Sequence, residues 1–177
     1  MQFHIVTDHQ LIPALTTLIN RAYRGNDGPG RWTTEQHLVA GDRIQPEAVA
    51  AMLDDPQCDV IAAFSEAGGP LQGCISVRYL SGNLAQVAEI GSFAIQPEAH
   101  GQGLGSQLLA FAEQHAASQK PVLQVEVVNE NRPLKAFYER RGYVANGERM
   151  DYPLAANVGL PKTQGLHLVV LRKSSSA

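Results

Sequence analysis

The hydrophobic pattern of this chain changes period several times, and each change marks an element. Residues 3–6 read as a short strand. Asp8 stands as a cap before a helical stripe of Leu11, Ile12, Leu15, Leu18, Ile19 and Ala22, spaced near 3.6 residues. A glycine-rich loop covers residues 24–31, and Trp32, Thr33, Thr34 and Glu35 then predict a helix start, a Thr cap with an acid close behind. Pro46 opens a short helix over 47–53 that stops near Asp55 and Pro56. Strands follow at 60–64 and 71–80 around a turn at 66–70, and another at 86–95 is stopped by Pro97. Leu104, Leu108, Leu109, Ala112 and Ala116 make one stripe of a helix over 105–119. A β-branched strand at 122–128 leads to a helix over 131–141, closed by Gly142 in the left-handed conformation. Two last strands, 143–150 and 165–171, flank a loop at 151–164 that carries Pro153, Gly159 and Pro161.

This order predicts an α/β (α+β) chain with helices packed on a mixed sheet, and not a regular doubly wound repeat. Length and composition fit one domain over 1–177 with a frayed tail at 175–177: 177 residues, 44% hydrophobic and 18% charged. A net charge of −3 argues against a nucleic-acid partner. Cys58 and Cys74 sit in apolar runs outside any CxxC pair, and the six histidines show no HxxxH spacing, so no metal is expected. Residues 1–7 lack the basic start and apolar stretch of a signal peptide, and no run is long enough for a membrane span. A cytoplasmic protein with no membrane partner is expected.

The sharpest signal is the stretch from His100 through Gly101, Gln102, Gly103, Leu104, Gly105 and Ser106, between a strand and an amphipathic helix. Alternating glycines let backbone N–H groups converge with no Cβ in the way, and a helix N-terminus adds unpaired donors and partial positive charge. Such a turn suits a phosphate or pyrophosphate. Ser106 and Gln107 follow the last glycine, so the lysine of a P-loop is missing. The spacing is GxGxG rather than the GxGxxG of a dinucleotide fold, and Glu126, at about the right distance for an acidic partner, lies within its strand.

A second block, Asn131 to Tyr143, contains Ala136, Phe137, Tyr138, Gly142 and Tyr143. Together the two blocks make the chain resemble the GNAT superfamily of acyl-CoA-dependent N-acyltransferases. That family's loop reads Gln or Arg, two residues, Gly, one residue, then Gly or Ala; here His100, Gly103 and Gly105 hold those positions. The resemblance covers residues 2–150 by element order and 86–143 by motif. It implies a mixed, mostly antiparallel sheet of about seven strands flanked by about four helices. It also implies acetyl-CoA as co-substrate and direct transfer to a small-molecule or peptide amine. His100 departs from the family pattern, which implies weaker or pH-dependent CoA affinity.

By resemblance, Tyr138 is the acid that protonates the departing thiolate. Asn131 is either a plain helix cap or a contact to CoA, and Phe137 belongs to the cofactor block. From the residues themselves, Glu89 is the base candidate. It is a lone carboxylate in an apolar strand, where period 2 puts it on the face of Val87, Gly91, Phe93 and Ile95. Glu126 is the weaker alternative. The family's fourth strand carries a bulge; one near Gly91 would change that phase and leave backbone groups of Phe93, Ala94 and Ile95 for the pantetheine arm. The resemblance puts Trp32, Glu35 and Arg43 at the acceptor site. Arg24, Arg31 and Arg43 either hold a carboxylate of the substrate or are solvated surface charges. Neither cysteine lies near an activating motif, so no acyl-enzyme is implied. A non-catalytic acyl-CoA sensor is the alternative function, and exposed strand edges leave a homodimer open.

Overall fold

A computed structural model describes residues 1–25 and 34–175. The first half contains β1 (Gln2–Ile5), α1 (Ile12–Arg24), β2 (Val39–Ala40), α2 (Pro46–Asp54), β3 (Cys58–Phe64) and β4 (Leu71–Tyr79). The second half contains β5 (Val87–Ile95), α3 (Leu104–Ala117), β6 (Val122–Val128), α4 (Arg132–Glu139), β7 (Val144–Asp151), β8 (Leu160–Pro161) and β9 (His167–Ser174). Seven strands form one sheet in the order β1-β3-β4-β5-β6-β9-β7, while β2 and β8 pair separately. Every neighbouring pair in the large sheet is antiparallel except β5 with β6, which run parallel. The mixed, mostly antiparallel fold expected from the resemblance is the one observed.

Alternation along the strands gives the sheet two buried faces. Ile61, Ile75, Val77, Ile90, Leu123 and Val125 pack with Leu108 and Leu109 of α3 and Leu134 of α4. Val60, Ala62, Cys74 and Ala94 pack on the other face with Leu15, Leu18 and Ile19 of α1 and Val49 of α2. The α1 stripe read from the sequence is the buried one, and each of its leucines contributes about 1.5–3 kcal/mol by leaving water. Asp8 caps a 3₁₀ turn rather than α1 itself: its Oδ1 accepts from Gln10 N at 2.8 Å, and α1 starts at Ile12 with Pro13 in its first turn. Gly142, at φ +93°, closes α4 as expected.

Two sequence expectations are corrected. No helix starts at Thr34 or Glu35; residues 36–38 turn directly into β2, because Leu38 N and Val39 N both bond back to Glu35 O. Trp32 and Arg31 lie outside the described residues. The loop 151–164 is also not structureless: it supplies β8, whose Pro161 and Leu160 pair with Val39 and Ala40.

The third difference shapes the site. Between β4 and β5 the register slips, with Ser76 opposite Gly91 but Cys74 opposite Ala94, so β5 holds one extra residue. Ser92 occupies the left-handed region at φ +44°, rare for a residue other than glycine. The bulge reverses the alternation. Glu89 and Gly91 line a cleft on the α2 side of the sheet, whereas Phe93 and Ile95 turn into the α3-side core with Ile90. Phe93 and Ile95 therefore do not share the face of Glu89. Pairing of β5 with β6 also ends here, at Ile90 with Val125, while β6 stays paired to β9 as far as Val128. The two strands part in the middle of the sheet.

Candidate active site

On the α3 side of this parting lies the glycine turn. Gly101 and Gly103 take φ values of +79° and +76°, conformations that cost an L side chain about 1–2 kcal/mol. Among the described residues, no backbone acceptor takes an N–H of residues 101–106; the first such bond is from Gln107 N to Gly103 O at 3.1 Å. These donors border a cavity of about 430 Å³, closed on the far side by Pro133, Ala136, Phe137 and Arg140 of the α4 region. The cradle is lined by Gly101, Gly103, Gly105 and Ser106, as the motif requires of an anion site.

The other residues expected here divide. Ile95, His100 and Leu104 line the cavity. The His100 ring turns back on the loop, with Nε2 3.3 Å from Ile95 O. Gln102 directs its Nε2 to Glu98 O, so it braces the turn from outside. Arg141 donates to Ser106 Oγ, and its guanidinium carbon lies 3.5 Å from the Phe137 ring centroid, fastening α4 to α3. Ala94 is fully buried among the α1-side residues. The Phe93 backbone is already engaged, giving a hydrogen bond to the Tyr23 hydroxyl.

The parting itself encloses an inner chamber of about 140 Å³. Tyr138 enters its wall from α4. Its ring is held by Phe93, Phe137 and Tyr143, with centroids 6.5, 5.6 and 5.3 Å away. The residue is 4% exposed, and its hydroxyl bonds to no described residue. Burial, with the nearby Tyr23 hydroxyl and Glu113, holds its pKa well above the usual phenol value, so it carries its proton at neutral pH. Tyr23 faces it from α1, its own pKa raised to about 12 by burial. The α1 stripe read from the sequence does not include Tyr23.

Carboxylates stand on the other wall. Glu126 lines the chamber, and Glu89 opens to an outer cleft of about 640 Å³ that shares Gly91 and Ser92 with it. Glu89 and Glu126 act on each other's charge across the parallel strands. Burial, then the Glu89 charge and a shared hydrogen bond, push Glu126 up to about 7, against the pull of Gln124. Gln124 Nε2 donates to Glu126 Oε1 at 3.3 Å, and Arg172 Nε in turn donates to Gln124 Oε1 at 2.9 Å. Arg172 also grips Glu148 with two contacts of 3.1 Å.

Glu35 and Asn131, expected at the acceptor and cofactor sites, are committed to each other. Asn131 caps α4 by accepting from Leu134 N at 3.3 Å, and its Nδ2 donates to Glu35 Oε2 at 2.8 Å. Arg24 Nη1 reaches Glu35 Oε1 at 3.5 Å while Nη2 donates to Val158 O at 2.7 Å. Glu35 is 4% exposed, and burial outweighs the hydrogen bond from Asn131 and the charges of Arg24 and Arg43, leaving its pKa raised. Glu35 is thus a buried strut between α1 and α4, and Arg24 its partner rather than a surface charge. Arg43 does reach the cleft and lines both of its compartments. Cys58 and Cys74 are buried, their thiols pushed up to about 11 and 12, far from any nucleophile's range.

Among the described residues no helix is long and apolar enough to cross a membrane, and no three His, Cys, Asp or Glu cluster to hold a metal. No curated protein sequence matches the chain significantly. Solved structures do match in fold. One is smu.2055 from Streptococcus mutans, 13% identical over 99% of this chain and 100% of that one, TM-score 0.75. Another is yncA from Salmonella typhimurium with its cofactor acetyl-CoA, 18% identical over 100% and 95%, TM-score 0.69. A third is the ribosomal-protein-alanine N-acetyltransferase from Brucella melitensis, 19% identical over 98% and 99%, TM-score 0.70. The Acetyltransferase (GNAT) family profile matches residues 14–143, well over half of the sequence, and the chain belongs to that family.

Proposed function

We propose that this chain moves an acetyl group from acetyl-CoA directly to a primary amine, with Tyr138 as acid and the Glu89–Glu126 pair as base. One observation carries the reading. An amide cradle, a buried phenol without a hydrogen-bond partner among the described residues and a carboxyl pair lie around a single break in the sheet. The residues fit the co-substrate: the cradle's N–H groups would hold its pyrophosphate, and the parted edges of β5 and β6 would admit its pantetheine arm. Acetyl-CoA supplies an activated thioester. A C–N bond forms as the C–S bond breaks, the amine's proton passes to the carboxyl pair through water, and the Tyr138 proton passes to the thiolate. The raised carboxyl pKa suits this role, since a base near neutrality accepts a proton without holding it too weakly or too strongly. The buried cysteines take no part. The Brucella neighbour is named for an amine of a protein alanine, and the amine acceptor class is carried over from such relatives.

Calorimetric titration of acetyl-CoA, CoA and ATP into the wild type and Gly103→Glu tests the cradle. CoA species should bind and ATP should not, and the substitution should abolish binding. An amine screen with Tyr138→Phe as control follows. Binding without turnover on any amine would favour a sensor instead, and no CoA binding would overturn the reading.

A further inference from the structure

Two arginines line the outer cleft, and the fold uses one of them. Arg78 Nη1 donates to Asp55 Oδ2 at 2.7 Å. Arg43 is anchored differently. Its backbone N–H donates to Asn20 Oδ1 at 2.8 Å, and its guanidinium carbon sits 5.2 Å from the centroid of the Tyr23 ring. The guanidinium itself makes no hydrogen bond or ion pair with any described residue. Five N–H donors, half-buried over an aromatic face, are thus left without an acceptor. The acid beside it, Glu35, is already held by Arg24 and Asn131.

Arg43 shares the inner chamber with Glu126 and the outer cleft with Glu89. The cleft thus offers acids on one wall and, on another, a guanidinium with no hydrogen-bonded acceptor among the described residues. That pattern complements an ammonium and an oxyanion on the same molecule. The chamber encloses about 140 Å³ and the outer cleft that adjoins it about 640 Å³, so a small molecule can meet both walls. A polyamine would set a positive charge against Arg43.

Resting on the acetyltransferase reading above, we propose that the acceptor is a small zwitterion. It is an α-amino acid or close analogue whose carboxylate docks on Arg43 while its amine faces Glu89 and Glu126. Arg43 is then the residue that selects the substrate class, and it takes no part in proton transfer.

The test uses a panel of free L-amino acids, each beside its own α-carboxamide, with putrescine and spermidine as polycation controls. Binding is measured by calorimetry on CoA-loaded protein, where no turnover can occur. Acetyl transfer is measured separately with acetyl-CoA. At least one free acid should bind roughly 10- to 100-fold more tightly than its amide. Arg43→Gln should erase that ratio by raising KM for the acid far more than for its amide, and Arg43→Lys should restore part of it. Equal binding of acid and amide, preference for polyamines, or a ratio that survives Arg43→Gln would overturn the proposal. Amide or polyamine turnover would still leave the acetyltransferase reading standing. Arg43-dependent binding of the acid with no turnover on any amine would do the reverse, supporting this site and sinking the catalytic reading.

Discussion

Replacing Tyr138 by phenylalanine removes one oxygen and nothing else. In most buried tyrosines that change is costly, because the hydroxyl's partner is left unsatisfied. Here the hydroxyl has no partner among the described residues, while the ring keeps its contacts with Phe93, Phe137 and Tyr143. A buried polar group without a hydrogen bond costs the fold about 1–3 kcal/mol. Tyr138→Phe should therefore stabilise the protein by about 1 kcal/mol, which for a chain of this length raises Tm by roughly 2–4 °C. The same substitution removes the acid, and general acid catalysis contributes about 10²- to 10⁴-fold. The expected signature is thus a more stable and nearly inactive protein with unaltered acetyl-CoA affinity. Differential scanning calorimetry, thiol release and calorimetric titration on one preparation read all three. A fall in Tm would show that the hydroxyl serves the fold. Turnover within about threefold of wild type would refute its role as acid.

The remaining predictions concern the acids, the strut and the cradle. Turnover should rise with pH through about 7 as Glu126 ionises, and Glu126→Gln should remove that limb; a limb that stays in place would exclude Glu126 from the base. The sign for stability runs the other way. A carboxyl whose pKa is raised by folding favours the native state below its ordinary range and loses that contribution as pH rises through about 7, so Glu126→Gln should gain Tm relative to wild type at pH 8 but not at pH 5. Glu35→Ala leaves Arg24 buried without its carboxylate and should cost about 3–5 kcal/mol, seen as a lower urea midpoint. His100→Ala should weaken acetyl-CoA binding; an unchanged dissociation constant would mean the ring has no part in holding the co-substrate.

What the sequence made legible follows from range. The stripe of α1, the returning strand β4 and the Gly142 cap depend on neighbours a few residues away, and local periodicity reports them directly. The glycine turn was legible for the same reason, since its function resides in the backbone of consecutive residues. The phase of β5 was not. Alternation placed Glu89 with Phe93, and one extra residue at Ser92 undid it, a choice made by pairing with β4 that no local pattern contains. Glu35 looked like a substrate contact, and Arg24 like either a substrate contact or a solvated surface charge, because charge near an acceptor region suggests binding. Only the arrival of Asn131 from residues far along the chain turns them into a buried strut. The Arg172–Gln124–Glu126 chain went unseen for the same reason: it runs across β9 and β6, strands joined by no short connection.

The break in the sheet also has a mechanical side. Among the described residues, four register pairs from Val87–Val122 to Ile90–Val125, with the adjoining bond from Val122 N to Gln86 O, pair the strands of the leaf β1-β3-β4-β5 with those of the leaf β6-β9-β7. Each leaf is cross-linked internally by longer antiparallel ladders. The seam is thus a hinge at one end and open at the other, and the Arg24–Glu35–Asn131 strut spans it from α1 to α4. Amides of β3 and β6 should exchange with solvent only when the whole protein opens, whereas those beyond the hinge in β5 should exchange through small movements of one leaf against the other. A molecule wedged along the open end would tie the leaves together, so slowed exchange there would follow from filling the seam alone.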